Sequence, residues 1–146
     1  MLVAILAIDK NSGLGYKNNI LFKFTEDMEH FYNLTSYYKN CVVGRKTYES
    51  LPLKRFENRI LKVMTKQNKD SYCSVLASTE DQIVIGGNEI YKLFKDLIAV
   101  WYVTYFKEAA NNVDVYLDKE VLEVISKTQT KEVIYENDHL QICKCY

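Results

Sequence analysis

The sequence predicts an α/β protein: a sheet whose strands alternate with helices packed on its faces, with an antiparallel hairpin at one edge. Three observations carry this. Short apolar runs alternate with segments of helical periodicity, two of those runs pass through glycine directly into a helix, and the chain closes with two strands around Asn137-Asp138.

Taken in order, residues 2–8 are an unbroken apolar run of strand length, ended by Asp9-Lys10. No basic flank precedes it and it is too short to cross a bilayer, so it reads as a buried strand rather than a leader or membrane segment. Residues 10–24 form a loop in which Gly13, Gly15, Asn18 and Asn19 permit positive φ. Thr25 is a good N-cap, and Phe24, Met28, Phe31, Leu34, Thr35 and Tyr38 recur at helical spacing. Cys41-Val42-Val43 is a short strand ended by Gly44 and followed by a helix to about Ser50. Strands are expected at 60–65, 72–77, 82–85 and 100–106, a helix at 89–94, a short extended piece at 113–117, and a hairpin of 131–136 with 139–145.

The chain has 146 residues, 48% hydrophobic, which is enough for one real core and predicts a single domain over residues 1–146. Nineteen basic and nineteen acidic side chains cancel, leaving no excess to track a nucleic-acid backbone or an anionic membrane. A monomer acting on a small molecule is expected. Cys41, Cys73, Cys143 and Cys145 are too scattered for a disulfide framework and lack ligand-spaced partners for a metal, so no metal is expected and a reducing cytoplasm fits. His30 and His139 pair with no nucleophile and read as surface residues.

Chemistry concentrates in three places. Cys41-Val42-Val43-Gly44-Arg45-Lys46-Thr47 and Ile83-Val84-Ile85-Gly86-Gly87-Asn88 both run strand, glycine, helix, exposing backbone N–H groups to a phosphate. Neither is GxGxxG or a Walker loop, and two in one sheet point to a dinucleotide. Asp27 stands in the first turn of a helix, on the edge of its apolar stripe, where desolvation should raise its pKa and demand a hydrogen-bonding neighbour. Thr104 is a candidate for that neighbour. Lys54, Arg55 and Arg59 form a basic cluster suited to an anion, Arg having the planar fork that matches a carboxylate.

Together these residues resemble the dihydrofolate reductase family. Gly13-Leu14-Gly15 with Asn18, Thr25-Glu26-Asp27-Met28 with Phe31, the string Val43 to Ser50, Glu57-Asn58-Arg59, Thr65-Lys66, and Ile85-Gly86-Gly87 with Ile90-Tyr91 carry the resemblance, with Thr104 at the family's strand threonine. It implies a predominantly parallel eight-stranded mixed sheet flanked by about four helices, and NADPH-dependent reduction of 7,8-dihydrofolate to tetrahydrofolate, by hydride transfer to pterin C6 and protonation at N5. Asp27 would hold the pterin and support protonation, with Thr104 ordering it. Ile5, Ala7, Met28, Phe31, Leu51, Ile85 and Tyr91 would line the pterin and nicotinamide pocket, Phe56 would lie beneath the aminobenzoyl group, and Arg59 would take the glutamyl α-carboxylate. Arg45, Thr65 and Lys66 would hold the cofactor's 2′-phosphate, and Lys46, Thr47 and Gly87 its pyrophosphate. Leu14, Gly15, Asn18, Gly44, Gly86, Asn88, Glu89 and Ile90 would complete the cofactor surface.

The chain also departs from the family. Leu21-Phe22 stands where Pro-Trp is usual, so Phe22, at the catalytic lid position, lacks an indole N–H. Val115 and Asp118 replace a common Thr and Pro. Two alternatives stay open: another reductase of this fold, such as the riboflavin-pathway enzyme, and a catalytically silent nucleotide-binding homologue.

Overall fold

The computed structural model describes residues 1–67 and 69–146. In chain order the strands are β1 (Leu2–Ile8), β2 (Gly13–Gly15), β3 (Asn40–Gly44), β4 (Ile60–Met64), β5 (Gln82–Val84), β6 (Ile98–Phe106), β7 (Val115–Tyr116), β8 (Lys131–Glu136) and β9 (Leu140–Cys145). The helices are α1 (Thr25–Tyr38), α2 (Arg45–Ser50), α3 (Lys69–Ala77), α4 (Asn88–Phe94) and α5 (Lys119–Ser126), with one turn of 3-10 helix at Leu53–Phe56.

Among the described residues the main sheet has seven strands in the order β4-β3-β5-β1-β6-β9-β8, and β2 pairs with β7 in a separate ribbon. β4, β3, β5, β1 and β6 are mutually parallel, while β9 runs antiparallel between β6 and β8. Period-two alternation divides the core. Val3, Ile5, Val43, Ile83 and Tyr102 face one cluster with Tyr38 of α1, while Ala4, Leu6, Val42, Val84 and Trp101 face another with Phe94 of α4 and Val121 of α5. All five parallel strands end on one edge. The connection from β1 leads to β3 on one side and β6 lies on the other, so the strand order switches at β1, and in open α/β sheets ligands bind beyond the strands' carboxyl ends at such a point.

Four local expectations are corrected. Residues 72–77 belong to helix α3, not a strand, and this is why the sheet has seven strands instead of eight. Tyr72 and Val75, three residues apart, point the same way: Val75 is buried and Tyr72 stacks on Phe94 at 5.5 Å, so docking overrides the β-propensity of Tyr, Cys and Val. α5, left unassigned by sequence pattern, is a fifth α-helix. Asp118 caps it by accepting from Glu120 N–H at 2.8 Å, and Val121 and Ile125 bury its inner face. Thr25 is the first helical residue, and Phe24 holds the N-cap position with no side-chain bond. In the loop before α1, positive φ falls on Ser12, Lys17 and Asn18, not on Gly13, Gly15 or Asn19. Gly13 is small for a different reason: a Cβ there would lie 2.9 Å from the Asp9 carboxylate.

Candidate active site

Asp27 of α1 and Thr104 of β6 meet directly. The apolar stripe of α1 turns Asp27 towards the sheet, where it is only 9% exposed, and Thr104 Oγ1 donates to Asp27 Oδ1 at 2.6 Å. Thr104 lies opposite Ala7 of β1 in the sheet register, so two adjacent parallel strands fix where this hydroxyl stands. Burial raises the Asp27 pKa above its usual 3.8, and the Thr104 bond only partly offsets that.

The contrast with Asp9 is informative. Asp9 is also buried, yet its two oxygens accept from the backbone N–H groups of Asn11, Gly13 and Ala110 at 2.7–2.9 Å. It ties the loop after β1 to the segment after β6. Among the described residues, Asp27 has no such set of backbone donors.

Because the folded chain binds the Asp27 proton more tightly than an unfolded one, stability is lost as pH rises through the raised value. Asp27→Asn should therefore melt at a higher temperature than wild type in ligand-free samples at neutral pH. A lower melting temperature would mean that the charged carboxylate stabilises the fold.

Ile5, Phe31, Leu51, Phe56 and Ile85 pack in one cluster beside α1, Phe56 being 2% exposed, and Met28, next after Asp27, is half-buried. Tyr91 does not join them. Its ring lies in the cluster on the other face of the sheet, and its hydroxyl alone reaches the carboxyl edge, donating to the Ile5 carbonyl at 2.6 Å. Arg59 is held by three bonds. Nε donates to Thr35 Oγ1 at 3.0 Å, and its terminal nitrogens donate to the carbonyls of Tyr32 at 2.9 Å and Arg55 at 2.8 Å. Lys54 and Arg55 remain exposed, Arg55 over the Tyr32 ring.

On the other flank, Gly44 and Gly87 are the N-caps of α2 and α4, and neither helix has a side-chain cap. Gly44 N–H donates to the Gly86 carbonyl at 2.8 Å, which holds the two turns side by side. A Cβ on Gly87 would come 3.1 Å from Thr47 Oγ1, and one on Gly44 2.9 Å from Ile90 Cγ1. Gly86 adopts φ +125°, open to glycine but strained for other residues. Thr65 follows the end of β4, beside Gly44 at the end of β3, and Lys66 and Arg45 are exposed nearby in sequence, with Arg45 3.8 Å from Glu49.

Asn18 of the loop before α1 donates its amide to the Lys46 carbonyl at 2.8 Å, fastening that loop to α2. Asp114 adds two bonds on the loop's other side, its N–H to the Gly15 carbonyl and its carboxylate from Lys17 N–H. Leu14 packs on the α4 side of the core, and Asn88 uses its side-chain oxygen to accept from Asp118 N–H at 2.9 Å. Glu89 is exposed. Phe22 stacks on Phe24 and meets Phe106 at a tilt, in a cluster that also takes in Ala7, and it has no polar atom to move a proton. His30 is half-buried and not fully exposed. Its Nε2 is buried without a hydrogen-bond partner, its ring meets Tyr102 edge-on, and burial lowers its pKa. His139 is exposed and stacks on Phe24. All four cysteines are free, and burial pushes Cys41 up to about 11.

A buried carboxyl beside apolar side chains, together with two glycine-capped helix starts on the same parallel sheet, is an arrangement suited to a small-molecule ligand. The sequence model of the dihydrofolate reductase family matches residues 1–143, and the chain belongs to that family. A bifunctional dihydrofolate reductase-thymidylate synthase of Paramecium tetraurelia is 29% identical over 147 residues. That match takes in 91% of this chain but 31% of the Paramecium protein. The dihydrofolate reductase of Saccharomyces cerevisiae is 25% identical over 163 residues, covering 88% of this chain and 77% of its own length. Among solved structures, dihydrofolate reductase from Enterococcus faecalis, complexed with NADP(H) and RAB-propyl, superposes with a TM-score of 0.78. At 20% identity and 99% coverage of this chain, it shares the fold.

Proposed function

We propose that this chain is a dihydrofolate reductase, converting 7,8-dihydrofolate to 5,6,7,8-tetrahydrofolate with NADPH and so supplying one-carbon metabolism. One observation carries the reading: Asp27 is a desolvated carboxyl with a raised pKa, ordered by Thr104 and lacking the backbone donors that satisfy Asp9. A carboxylate so placed accepts from the paired N–H groups of a pterin ring, and its raised pKa lets it hold a proton more readily than an exposed carboxylate does. Thr104 keeps one oxygen fixed while the other faces the ligand. Ile5, Met28, Phe31, Leu51, Phe56 and Ile85 exclude water around the pterin and the aminobenzoyl ring, and Tyr91 stays neutral, burial having raised its pKa. Arg59, with one N–H left on each terminal nitrogen, takes the glutamyl α-carboxylate.

The glycine cradle fits a dinucleotide. A methyl group at Gly44 or Gly87 would press on Ile90 or Thr47, and both helix starts offer uncapped N–H groups. Thr47 and Lys46 with Gly86 and Gly87 hold the pyrophosphate, and Arg45, Thr65 and Lys66 the 2′-phosphate. When bound, NADPH supplies a hydride to pterin C6. Asn18, Gly15, Leu14 and Phe22 keep the lid loop over the nicotinamide side, while Ala7, Asn88, Glu89 and Ile90 complete the cofactor surface. None of the described helices is long and apolar enough to cross a membrane. The same reading makes the protein a cytoplasmic monomer with no nucleic-acid partner, on the balanced charge and the free cysteines.

The test is loss of cofactor absorbance with dihydrofolate present, against a control without it. NADPH should be preferred over NADH by at least about tenfold in kcat/KM, since charge-assisted bonds to phosphate contribute roughly 1.5–3 kcal/mol each. Equal constants would remove the assignment of Arg45, Thr65 and Lys66. No substrate-dependent oxidation of either cofactor would remove the function.

A further inference from the structure

We propose that His30 is a positioning residue of the proton path, acting through Asp27: its ring passes protons between solvent and the buried carboxyl from the α1 side. The inference rests on the reading of Asp27 given above. Phe22, at the lid position, offers nothing for this task, since it packs against Phe24 and Phe106 and has no polar atom. His30 stands one turn beyond Asp27 on α1, and side chains three apart on a helix are neighbours. β6 meets the pair with Thr104 and Tyr102, two residues apart and so on one face of the sheet. Thr104 bonds Asp27 at 2.6 Å, and Tyr102 meets the His30 ring edge-on at 6.1 Å, so both α1 side chains lean on the same stretch of β6.

His30 is half-buried, with Nε2 sealed and without a hydrogen-bond partner, so the ring spans from the interior to solvent. Around it stand Asp27 and the exposed Glu26 and Glu29 on α1, and Tyr102 on β6, whose hydroxyl lies 3.4 Å from that of Tyr38. Lys144 of β9 is opposite Tyr102 in the register but is directed over the Tyr146 ring. Burial lowers the imidazole pKa, which keeps the ring neutral at pH 7. A neutral imidazole has one donor nitrogen and one acceptor nitrogen, as a relay requires. With its proton on Nε2, the ring takes a solvent proton at Nδ1 and releases the Nε2 proton to the Asp27 carboxylate. Asp27 passes that proton on towards pterin N5 and is an anion again. The imidazole is left neutral with its proton on Nδ1, and exchange with water restores the first tautomer. The Thr104 bond leaves the carboxylate room for this, since each of its oxygens has two lone pairs.

Single-turnover reduction of dihydrofolate by bound NADPH, followed across pH, tests the relay. His30→Phe keeps a ring against Tyr102 but carries no nitrogen. At pH 7 its rate should fall about tenfold, and the loss should shrink below about twofold as pH falls and dihydrofolate becomes protonated in solution. Dissociation constants for NADPH and dihydrofolate should stay within about twofold of wild type. His30→Ala should lose as much, and added imidazole should return at least about half of its missing rate while leaving Asp27→Asn unimproved. Should either protein not fold, His30→Gln, polar but not titratable, reads the same pH contrast. An undiminished rate at pH 7, a loss equally large at every pH, weakened binding of both ligands, or no gain from imidazole would overturn the proposal. Asp27→Asn in the same assay keeps the two claims apart. If it loses rate at pH 7 and His30→Phe does not, only the role of His30 falls. If Asp27→Asn turns over at near-wild-type rate, the role of the carboxyl falls and the relay with it.

Discussion

Asp27→Asn should lower dihydrofolate turnover at neutral pH by about a hundredfold or more while leaving the fold and NADPH binding intact. The carboxamide matches the carboxylate in shape and can still accept from Thr104 Oγ1, so the packing beneath α1 is kept. It cannot present acceptors at both positions to the pterin's N–H groups, and it cannot exchange a proton. The loss should depend on pH. As pH falls and dihydrofolate becomes protonated at N5 in solution, the variant should recover part of the missing rate, because the proton no longer has to come through residue 27. Wild type should lose its advantage over the same interval. A folded Asp27→Asn protein with near-wild-type turnover at pH 7 would reduce Asp27 to an acid that merely complements the α1 dipole.

The second large effect is expected at Arg59. Arg59→Lys should raise KM for dihydrofolate by roughly tenfold to a hundredfold, since an ammonium cannot make the two-point contact of a guanidinium. The substitution also leaves the Thr35 hydroxyl and the Tyr32 and Arg55 carbonyls without the donor that now joins them. A pterin without a glutamyl tail should be nearly unaffected. If both substrates suffered equally, Arg59 would be structural, and the anion clamp would have to be sought at Lys54 or Arg55.

Much of this arrangement is legible in the sequence because burial and periodicity leave direct marks. Asp27 could be singled out because a carboxylate on the edge of an apolar stripe must either find a partner or take up a proton more readily; it bonds to Thr104, and burial raises its pKa. The two glycine turns are visible as interruptions between a β-branched run and a helix. What sequence does not show is which atoms meet across the fold. His30 and Thr35 both lie on α1, yet only the structure brings His30 against Tyr102 and Thr35 against Arg59. A buried threonine in a helix interior was the available signal for the second: β-branched, polar and on the apolar stripe, it is costly unless its hydroxyl serves something. Residues 72–77 mislead for the opposite reason. Their strand-forming side chains are recruited by Phe94 into a helical packing that no local preference reveals. The lid glycines mislead too, since Gly13 is required by the nearby Asp9 carboxylate and not by backbone conformation.

The most direct test of the central claim, that a desolvated carboxyl beside Thr104 is the proton-holding group of the site, is the titration of Asp27 itself. Carboxyl-labelled aspartate followed by carbon NMR, with Asp27→Asn used to assign the signal, reads that one group in the ligand-free protein. Burial predicts a midpoint clearly above the usual 3.8, falling back towards it in Thr104→Ser only if the hydroxyl bond or solvent access strengthens. A midpoint at or below 3.8 in the folded wild-type protein would contradict the account.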